Sequence, residues 1–227
     1  GDIVDVNGVV LAKSSTVYTL YARPNEIDDK EYIAKSISGI IGVDSQSLVQ
    51  KLSKTGVSEI TVAKNLTKEQ MLNLIATDIQ GLYLTADSSR YYSYGNFLTQ
   101  VLGFTNSDGI GQSGIELFYE EYLKGVDGAS YTETDLIGRE LDTNRTVYVD
   151  SIKGMTTRLT IDYYIQSFAE KAVSDAQLKY NSKSASCIVM SANTGAVLAM
   201  ASAPTYDLND IPRDDMDLLL QGSRNLL

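Results

Sequence analysis

The segment that most constrains this chain is 184–204, which reads SASCIVMSANTGAVLAMASAP. It holds two apolar runs, 187–190 and 196–201, on either side of Asn193 and Gly195. Both of these residues tolerate positive φ, so the pattern predicts an antiparallel β-hairpin with its turn between the runs. Neither run alternates polar with apolar residues, and a lone hairpin is marginal in water. We therefore expect both faces of the hairpin to need a covering layer.

One covering layer is predicted directly upstream of the hairpin. Apolar residues recur at helical spacing in the segment 162–177, which predicts an amphipathic helix. Its predicted apolar face consists of Tyr164, Ile165, Phe168, Ala169, Ala172 and Val173. The few residues after Pro204 are too short to supply further strands and a second layer, so we expect the core of this domain to continue beyond Leu227.

Charge and composition exclude several classes of function. The net charge of −10 argues against binding to nucleic acid and against docking on an anionic membrane through a basic patch. The single cysteine, Cys187, leaves no disulfide framework and no Cys-x-x-Cys site. The chain contains no histidine, which excludes Ser-His-Asp catalysis, Cys-His catalysis and His-ligated zinc within these residues. Partners are expected to be proteins or neutral glycans.

Two local patterns mark the start of the chain. The first residues read GDIVDVNGVVLA, which predicts a hairpin with its turn at Asn7-Gly8, a pair suited to a type I′ turn. Asp28 and Glu31 form a capping-box pattern at the start of a predicted helix that ends at Gly42.

Strand and helix patterns alternate along the following residues. Strands are predicted over 16–22, 58–63, 82–85 and 90–93, and helices over 45–53, 67–77 and 97–102. Thr67 and Gln70 form a second capping box at the start of one of these helices. We place a turn at 87–89, between the last two strands, because Asp and Ser are turn-forming residues.

The segment 111–125 has the pattern of a capped helix. Ser113 occupies the predicted N-cap position, Glu116 the third helical position and Gly125 the position after the last turn. This pattern predicts a purely structural role for Glu116 as the second member of a capping box.

The middle of the chain predicts a domain boundary. The β-type segments 129–134 and 146–149 are followed by 151–157, where Lys153-Gly154 separates them from the strand, helix and hairpin that start at Arg158. Short helices and antiparallel strands without regular βαβ spacing are typical of an α+β fold. We therefore predict two domains, 1–154 and 155–227.

The absence of histidine limits the kinds of catalytic site that this chain could hold. A covalent acyl-transfer site then needs a serine with a lysine one helical turn later, spaced Ser-x-x-Lys. No lysine has a serine three residues before it, and the nearest approximation is Thr61 with Lys64, in a predicted strand where these positions face apart. Short fragments that imitate other parts of such a site are Lys54-Thr55-Gly56, Ser191-Ala192-Asn193 and Ser223-Arg224-Asn225. Fragments of this length arise by chance, so we predict no catalytic residue, no cofactor-binding residue and no metal ligand in this chain.

Several motifs together resemble those of class B penicillin-binding proteins. The first residues resemble the family's Arg-Gly-x-Ile-x-Asp-Arg-Asn-Gly-x-x-Leu-Ala pattern, with Val6 in place of the second arginine. The segment 111–125 resembles its Gly-x-x-Gly-Ile-Glu helix, and 159–170 resembles its Leu-Thr-Ile-Asp-x-x-Ile-Gln-x-x-x-Glu motif. The segment 193–209 resembles the strands that follow. The matches occur in the family's order, and their wording is closest to the division and sporulation branch.

The resemblance implies a fold and an activity. It implies that 1–154 is an elongated pedestal, the dimerisation-type domain, and that 155–227 opens a transpeptidase domain truncated before its serine nucleophile. The parent protein would cross-link peptidoglycan stem peptides through a serine acyl-enzyme, in cell wall or spore cortex synthesis, and would be a β-lactam target. Residues 1–227 would be inactive alone, and no cofactor is implied.

The resemblance also implies partners and a location. A glycan-polymerising membrane protein and division or sporulation proteins are the implied partners, and peptidoglycan would be bound by the missing domain. The implied location is the outer face of the cytoplasmic membrane, with an N-terminal transmembrane anchor that these residues lack.

Two alternative functions remain open on the sequence alone. The chain is also consistent with a non-catalytic extracytoplasmic protein-interaction module, or with a glycan-binding protein that uses some of its 15 tyrosines. Within the first hairpin, Val9 and Leu11 are expected either to contact a partner or to lie in the core of the pedestal.

Overall fold

The computed structural model describes residues 1–54, 56–131 and 147–212, together with Asp214 and Leu219. The described strands are β1 (Ile3–Val4), β2 (Val10–Ala22), β3 (Ile60–Leu66), β4 (Leu82–Tyr92), β5 (Ala129–Tyr131), β6 (Val147–Val149), β7 (Thr157–Arg158), β8 (Ala185–Met190) and β9 (Val197–Ala203). The described helices are α1 (Lys30–Ile41), α2 (Ser45–Leu52), α3 (Lys68–Ile75), α4 (Thr99–Leu102), α5 (Gly114–Phe118), α6 (Glu120–Leu123) and α7 (Tyr163–Tyr180). The chain divides into two compact units, one formed by Ser15–Ser89 and the other by Gly1–Ser14 with Arg90–Leu227.

The unit Ser15–Ser89 packs three helices against strands. Within it β2 pairs antiparallel with β3, for example Tyr18 with Leu66, and also pairs with β4. Its core consists of Leu20, Ala22, Ile27, Ile33, Ala34, Ile37, Ile41, Leu48, Leu52, Val62, Leu66 and Leu74. The apolar positions of α1 in this set recur at helical spacing, so one face of the helix lies in the core.

The helix caps of this unit follow the sequence closely, with one correction. The Thr67 hydroxyl accepts from the Gln70 backbone N–H, and the Gln70 side chain accepts from the Thr67 N–H, so the predicted capping box is confirmed. Helix α1 ends at Gly42 with φ of 70°, again as predicted. Its N-cap is Asp29, whose carboxylate accepts from the Tyr32 N–H at 2.9 Å, so the prediction of Asp28 was wrong by one residue.

Strand β4 corrects a second prediction. It runs without interruption from Leu82 to Tyr92, whereas the sequence predicted two strands with a turn at 87–89. Pairing with β2 satisfies the backbone of this segment and outweighs the local turn preference of Asp and Ser. Asp87 instead accepts a hydrogen bond from the Thr19 hydroxyl of β2, at 3.4 Å.

The other unit joins the start of the chain to its second half. Strand β1 pairs antiparallel with β2 and parallel with β7, so Ile3 lies between Ala12 and Thr157. The core around these strands consists of Ile3, Leu11, Ala12, Tyr92, Phe97, Leu98, Leu102, Leu123, Ile161, Tyr206 and Leu208. Strands β5 and β6 pair antiparallel, and the predicted β-type positions 132–134 and 146 lie outside the described residues.

The predicted β-hairpin and its covering helix are both present. Strands β8 and β9 pair antiparallel, and α7 packs against one face through Ala169 and Val173. The buried face of α7 differs from the predicted one, because Tyr164 and Phe168 are 67% and 75% exposed and Ala172 is exposed as well. On the hairpin face away from α7, Ile188 and Met190 are more than half exposed.

Candidate functional site: a polar junction around the first hairpin and α7

The described residues of the fragments that resemble parts of a serine-lysine site lie in separate structural elements. Thr61 and Lys64 are both exposed on β3, where residues three apart point to opposite faces. Ser191 lies in the turn between β8 and β9, where its N–H donates to the Ala196 carbonyl at 2.9 Å. Thr55 and 223–225 lie outside the described residues.

The described part of the chain shows neither a metal-binding cluster nor a membrane-spanning helix. Among those residues, no group of three or more His, Cys, Asp or Glu side chains is placed to hold a metal ion. None of the described helices combines the length and the apolar character needed to cross a membrane. Cys187 is half-buried beside the small apolar core under α7, in keeping with a packing role.

What the structure does assemble is a junction of polar groups from distant parts of the chain, and Asp5 lies at its centre. Asp5 is fully buried. One carboxylate oxygen accepts from the backbone N–H groups of Asn7 and Val9 at 2.8 and 2.7 Å. The other oxygen accepts from the Tyr163 N–H, in the first turn of α7, at 3.1 Å. This one side chain therefore fixes both the hairpin turn and the start of the helix.

The same contacts explain why the turn is not of type I′. The Gly8 N–H donates to the Asp5 carbonyl at 3.2 Å, and Gly8 has φ of 90°. Asn7 is not among the residues with positive φ, which a type I′ turn requires at both central positions. The Asp5 carboxylate holds a longer turn in which Gly8 alone takes the left-handed conformation.

Asn7 and Asp162 form the exposed side of the junction. The Asn7 amide donates to one Asp162 oxygen at 3.0 Å, and the other oxygen caps α7 by accepting from the N–H groups of Tyr164 and Ile165. The Ile165 N–H, together with the Asn7 amide, holds the pKa of the Asp162 carboxyl below its usual value. The Val6 N–H adds a backbone bond of 2.9 Å to the Ile161 carbonyl.

A buried ion pair joins β4 to α5. Arg90 Nε donates to Glu116 Oε1 at 2.7 Å, and both side chains are less than a tenth exposed. Burial raises the pKa of Glu116, and the Arg90 guanidinium opposes this effect. Ser113 makes no side-chain cap, so the predicted capping box was wrong. Glu116 instead holds an arginine from a distant strand, because a buried charge needs a charged partner.

Gln166 and Glu170 link α7 to two backbones. The Gln166 side chain accepts from the Met200 N–H at 2.7 Å and donates to the Met200 carbonyl at 3.0 Å, so it satisfies the open edge of β9. Glu170 Oε1 accepts from the Leu98 N–H and from Gln166 Nε2, each at 2.8 Å. Burial raises the pKa of Glu170.

Asn209 repeats this arrangement at the end of β4. Its side chain accepts from the Tyr92 N–H at 3.0 Å and donates to the Tyr92 carbonyl at 2.9 Å. The neighbouring Leu208 N–H donates to the Gly95 carbonyl at 3.2 Å. Two side-chain amides thus take the place of neighbouring strands.

The sequence patterns did not predict the contacts of these residues, although most of the residues lie in the quoted motifs. Asp5, Glu116, Gln166, Glu170 and Asn209 all occur in segments that resemble the penicillin-binding proteins. The available signal was a polar residue inside an otherwise apolar segment, such as Gln166 next to Ile165. Chemically, the junction holds no activated nucleophile among the described residues; its groups bind one another and position the segments that carry them.

Comparison with known proteins identifies the class. The family described as the penicillin-binding protein dimerisation domain matches residues 1–159, which is more than half of the chain. The chain belongs to this family, and both the resemblance and the α+β fold predicted from the sequence are confirmed.

Three similar proteins define the match more closely. Stage V sporulation protein D of Bacillus subtilis is 28% identical over 92% of this chain and 33% of its own length. The probable peptidoglycan D,D-transpeptidase PenA of Neisseria meningitidis is 31% identical, over 96% of this chain and 38% of its own. The structure of penicillin-binding protein PBP2 of Helicobacter pylori, solved in complex with MreC, matches with a TM-score of 0.66 at 23% identity. This structural match covers 93% of this chain and 42% of the PBP2 chain, and at this identity it supports only the fold.

The chain spans about a third of the length of the curated relatives it matches.

Proposed function

We propose that these residues are the pedestal and the opening segment of the catalytic domain of a peptidoglycan D,D-transpeptidase. The observation that carries the proposal is the length of the chain that matches known proteins. The family match runs over 1–159, and a relative named as a D,D-transpeptidase aligns along 96% of the chain. In this proposal 1–154 is the pedestal and 155–227 opens the transpeptidase domain.

The proposed reaction is cross-linking of peptidoglycan stem peptides through a serine acyl-enzyme. Such a reaction needs a serine whose proton is taken by a nearby lysine, and this chain has no Ser-x-x-Lys. The nucleophile therefore belongs to the parent protein outside these residues. What these residues contribute is position, through the buried contacts of Asp5, Arg90 and Gln166 described above.

A transpeptidation assay with the full-length gene product tests this proposal. We expect the protein to join a donor stem peptide to an acceptor amine, with release of the terminal D-alanine, and mass spectrometry of the products would show the new amide bond. The same assay after treatment with penicillin is the control. A folded full-length product that forms no cross-link and binds no penicillin would refute the proposed activity.

A second proposed role is docking of protein partners at the outer face of the cytoplasmic membrane. The related PBP2 was solved in complex with MreC, and another relative is named as a sporulation protein, so division or sporulation proteins and a glycan-polymerising membrane protein are the proposed partners. Co-purification of each candidate with the pedestal residues, against a full-length protein as reference, is the test. Loss of every partner from the pedestal while the full-length protein keeps them would exclude docking by these residues.

A further inference from the structure

Two side chains of α7 connect backbones that lie far apart in the sequence. Gln166 and Glu170 are four residues apart, so they lie on the same side of the helix. A continuous path of hydrogen bonds runs from the Leu98 N–H to Glu170, from Glu170 to Gln166, and from Gln166 to Met200 of β9.

The orientation of the Gln166 amide is fixed by three partners. Its oxygen accepts from the Met200 N–H, while its nitrogen donates to the Met200 carbonyl and to Glu170 Oε1. Rotation of the amide by 180° would place its NH₂ group against the Met200 N–H. It would also place its oxygen against the Met200 carbonyl and against Glu170 Oε1. Gln166 is fully buried, so water cannot replace the lost partners. Glu170 therefore helps to hold the amide in the orientation that binds β9.

The other end of the path is a strained backbone position. Leu98 is 2% exposed and has φ of 55°, a conformation that branched and bulky residues rarely adopt. Such a residue persists only where its surroundings hold it. The bond from its N–H to Glu170, at 2.8 Å, is one of the contacts that does so.

We infer that Gln166 and Glu170 are positioning residues that couple the Leu98 turn to the open edge of β9. Because each side chain in the path orients the next, a displacement at Leu98 alters the support of Met200, and the reverse is also true. The inference rests on the proposed function in one respect: that function makes β9 part of the catalytic domain, so the coupling would reach that domain first at β9. Its test needs no enzymatic activity, so it fails or holds independently of that function.

Amide hydrogen exchange of the full chain measures the coupling directly. In Glu170→Leu we expect the Met200 amide to exchange at least about tenfold faster, relative to the amides bonded between β8 and β9, although the hydrogen bonds of Glu170 go to Leu98 and Gln166 and not to Met200. Glu170→Gln keeps a side-chain oxygen that can accept from both Leu98 and Gln166. This variant should therefore restore slow exchange at Met200 and Leu98.

Val173→Ala is the matched control on the same helix. It removes buried apolar contact beside the hairpin but no member of the path, so it should speed exchange at Met200 and at the amides between β8 and β9 by the same factor. If Glu170→Leu also speeds them equally, or if Glu170→Gln exchanges like Glu170→Leu, the inference is wrong.

A second variant reads the coupling in the other direction. Gln166→Ser removes the contact to β9 and leaves Glu170 in place, and it should speed exchange at Leu98 beyond any change at the amides between β8 and β9. Unchanged relative exchange at Leu98 in this variant would overturn the inference even if Glu170→Leu fails to fold.

Discussion

Asp5 is the residue on which the largest number of backbone contacts in the junction depends. It is fully buried and its carboxylate accepts from three backbone N–H groups. In Asp5→Asn one oxygen becomes an NH₂ group that faces an N–H donor, so we expect the free energy of unfolding to fall by about 1–3 kcal/mol. Urea unfolding followed by circular dichroism measures this change. Asn7→Ala, which removes an exposed hydrogen bond, is the control, and equal stability of Asp5→Asn and the parent would contradict the assignment.

Asp162 gives the junction a dependence on pH. Hydrogen bonds lower its folded pKa below the unfolded value of 3.8, so its contribution to stability is present above that value and is lost as the pH falls through the folded pKa. The raised pKa of Glu170 acts in the opposite direction, since burial disfavours its charged form. Between pH 5 and pH 2 we therefore expect Asp162→Asn to lose less stability than the parent. Urea midpoints across this range would show it, and parallel curves would argue against the cap.

Of the two residues of the first hairpin whose role the sequence left open, Val9 is half-buried and its role stays a prediction, whereas Leu11 is buried. It is 1% exposed, so it belongs to the core and not to a partner surface. We expect Leu11→Ala to lower the free energy of unfolding by about 2–4 kcal/mol, the range for a buried aliphatic side chain. Val6→Ala, at the exposed tip of the same hairpin, should change it by less than about 0.5 kcal/mol. A fully stable Leu11→Ala variant would show that this core is misassigned.

Residues whose partners are near in sequence were the predictable ones. Thr67 and Gln70 are three residues apart, and their capping box could be read directly from the chain. Ser113 and Glu116 have the same spacing, yet Glu116 binds Arg90, which is 26 residues away. A local pattern carries no information about a distant cation, so the same motif predicted one pair correctly and the other wrongly.

At the scale of elements, tertiary contacts overrode two local patterns. Residues 87–89, predicted to form a turn, lie within β4. A strand that pairs with β2 makes more backbone hydrogen bonds than a turn provides. The apolar face predicted for α7 included Tyr164 and Phe168, but the helix buries Gln166, whose amide satisfies the edge of β9. Apolar periodicity correctly predicted that this helix forms, but it did not predict which side of the helix is buried.

The β8–β9 hairpin exposes an apolar face on the side away from α7. Ile188 and Met190 are 51% and 57% exposed on the side away from α7. Adjacent exposed apolar side chains on a strand promote self-association, so we expect the polypeptide 1–227 to associate and Ile188→Lys with Met190→Lys to reduce this, with folding kept. Val189→Lys, on the face that packs against α7, should instead unfold the hairpin. Sedimentation velocity measures the association, and an unchanged profile in the double variant would contradict this assignment.

At the scale of the whole molecule, residues from the start of the chain and from its second half pack in one core. The core that contains Ile3 and Leu11 also contains Ile161, Tyr206 and Leu208, so residues on both sides of the predicted boundary at 154 share it. That boundary stays a prediction. The order of motifs along the chain indicated the family, because several weak matches in one order are far more specific than any one of them.

Covalent labelling with a fluorescent penicillin tests most directly the central proposal, that these residues position a catalytic domain and contain no nucleophile of their own. The folded polypeptide 1–227 and the full-length gene product are incubated with the reagent, and each is then separated by gel electrophoresis under denaturing conditions. We expect one labelled serine per molecule in the full-length protein and no covalent label on 1–227, because no serine in it has a lysine one turn away. Stoichiometric labelling of any serine within 1–227 would contradict the proposal.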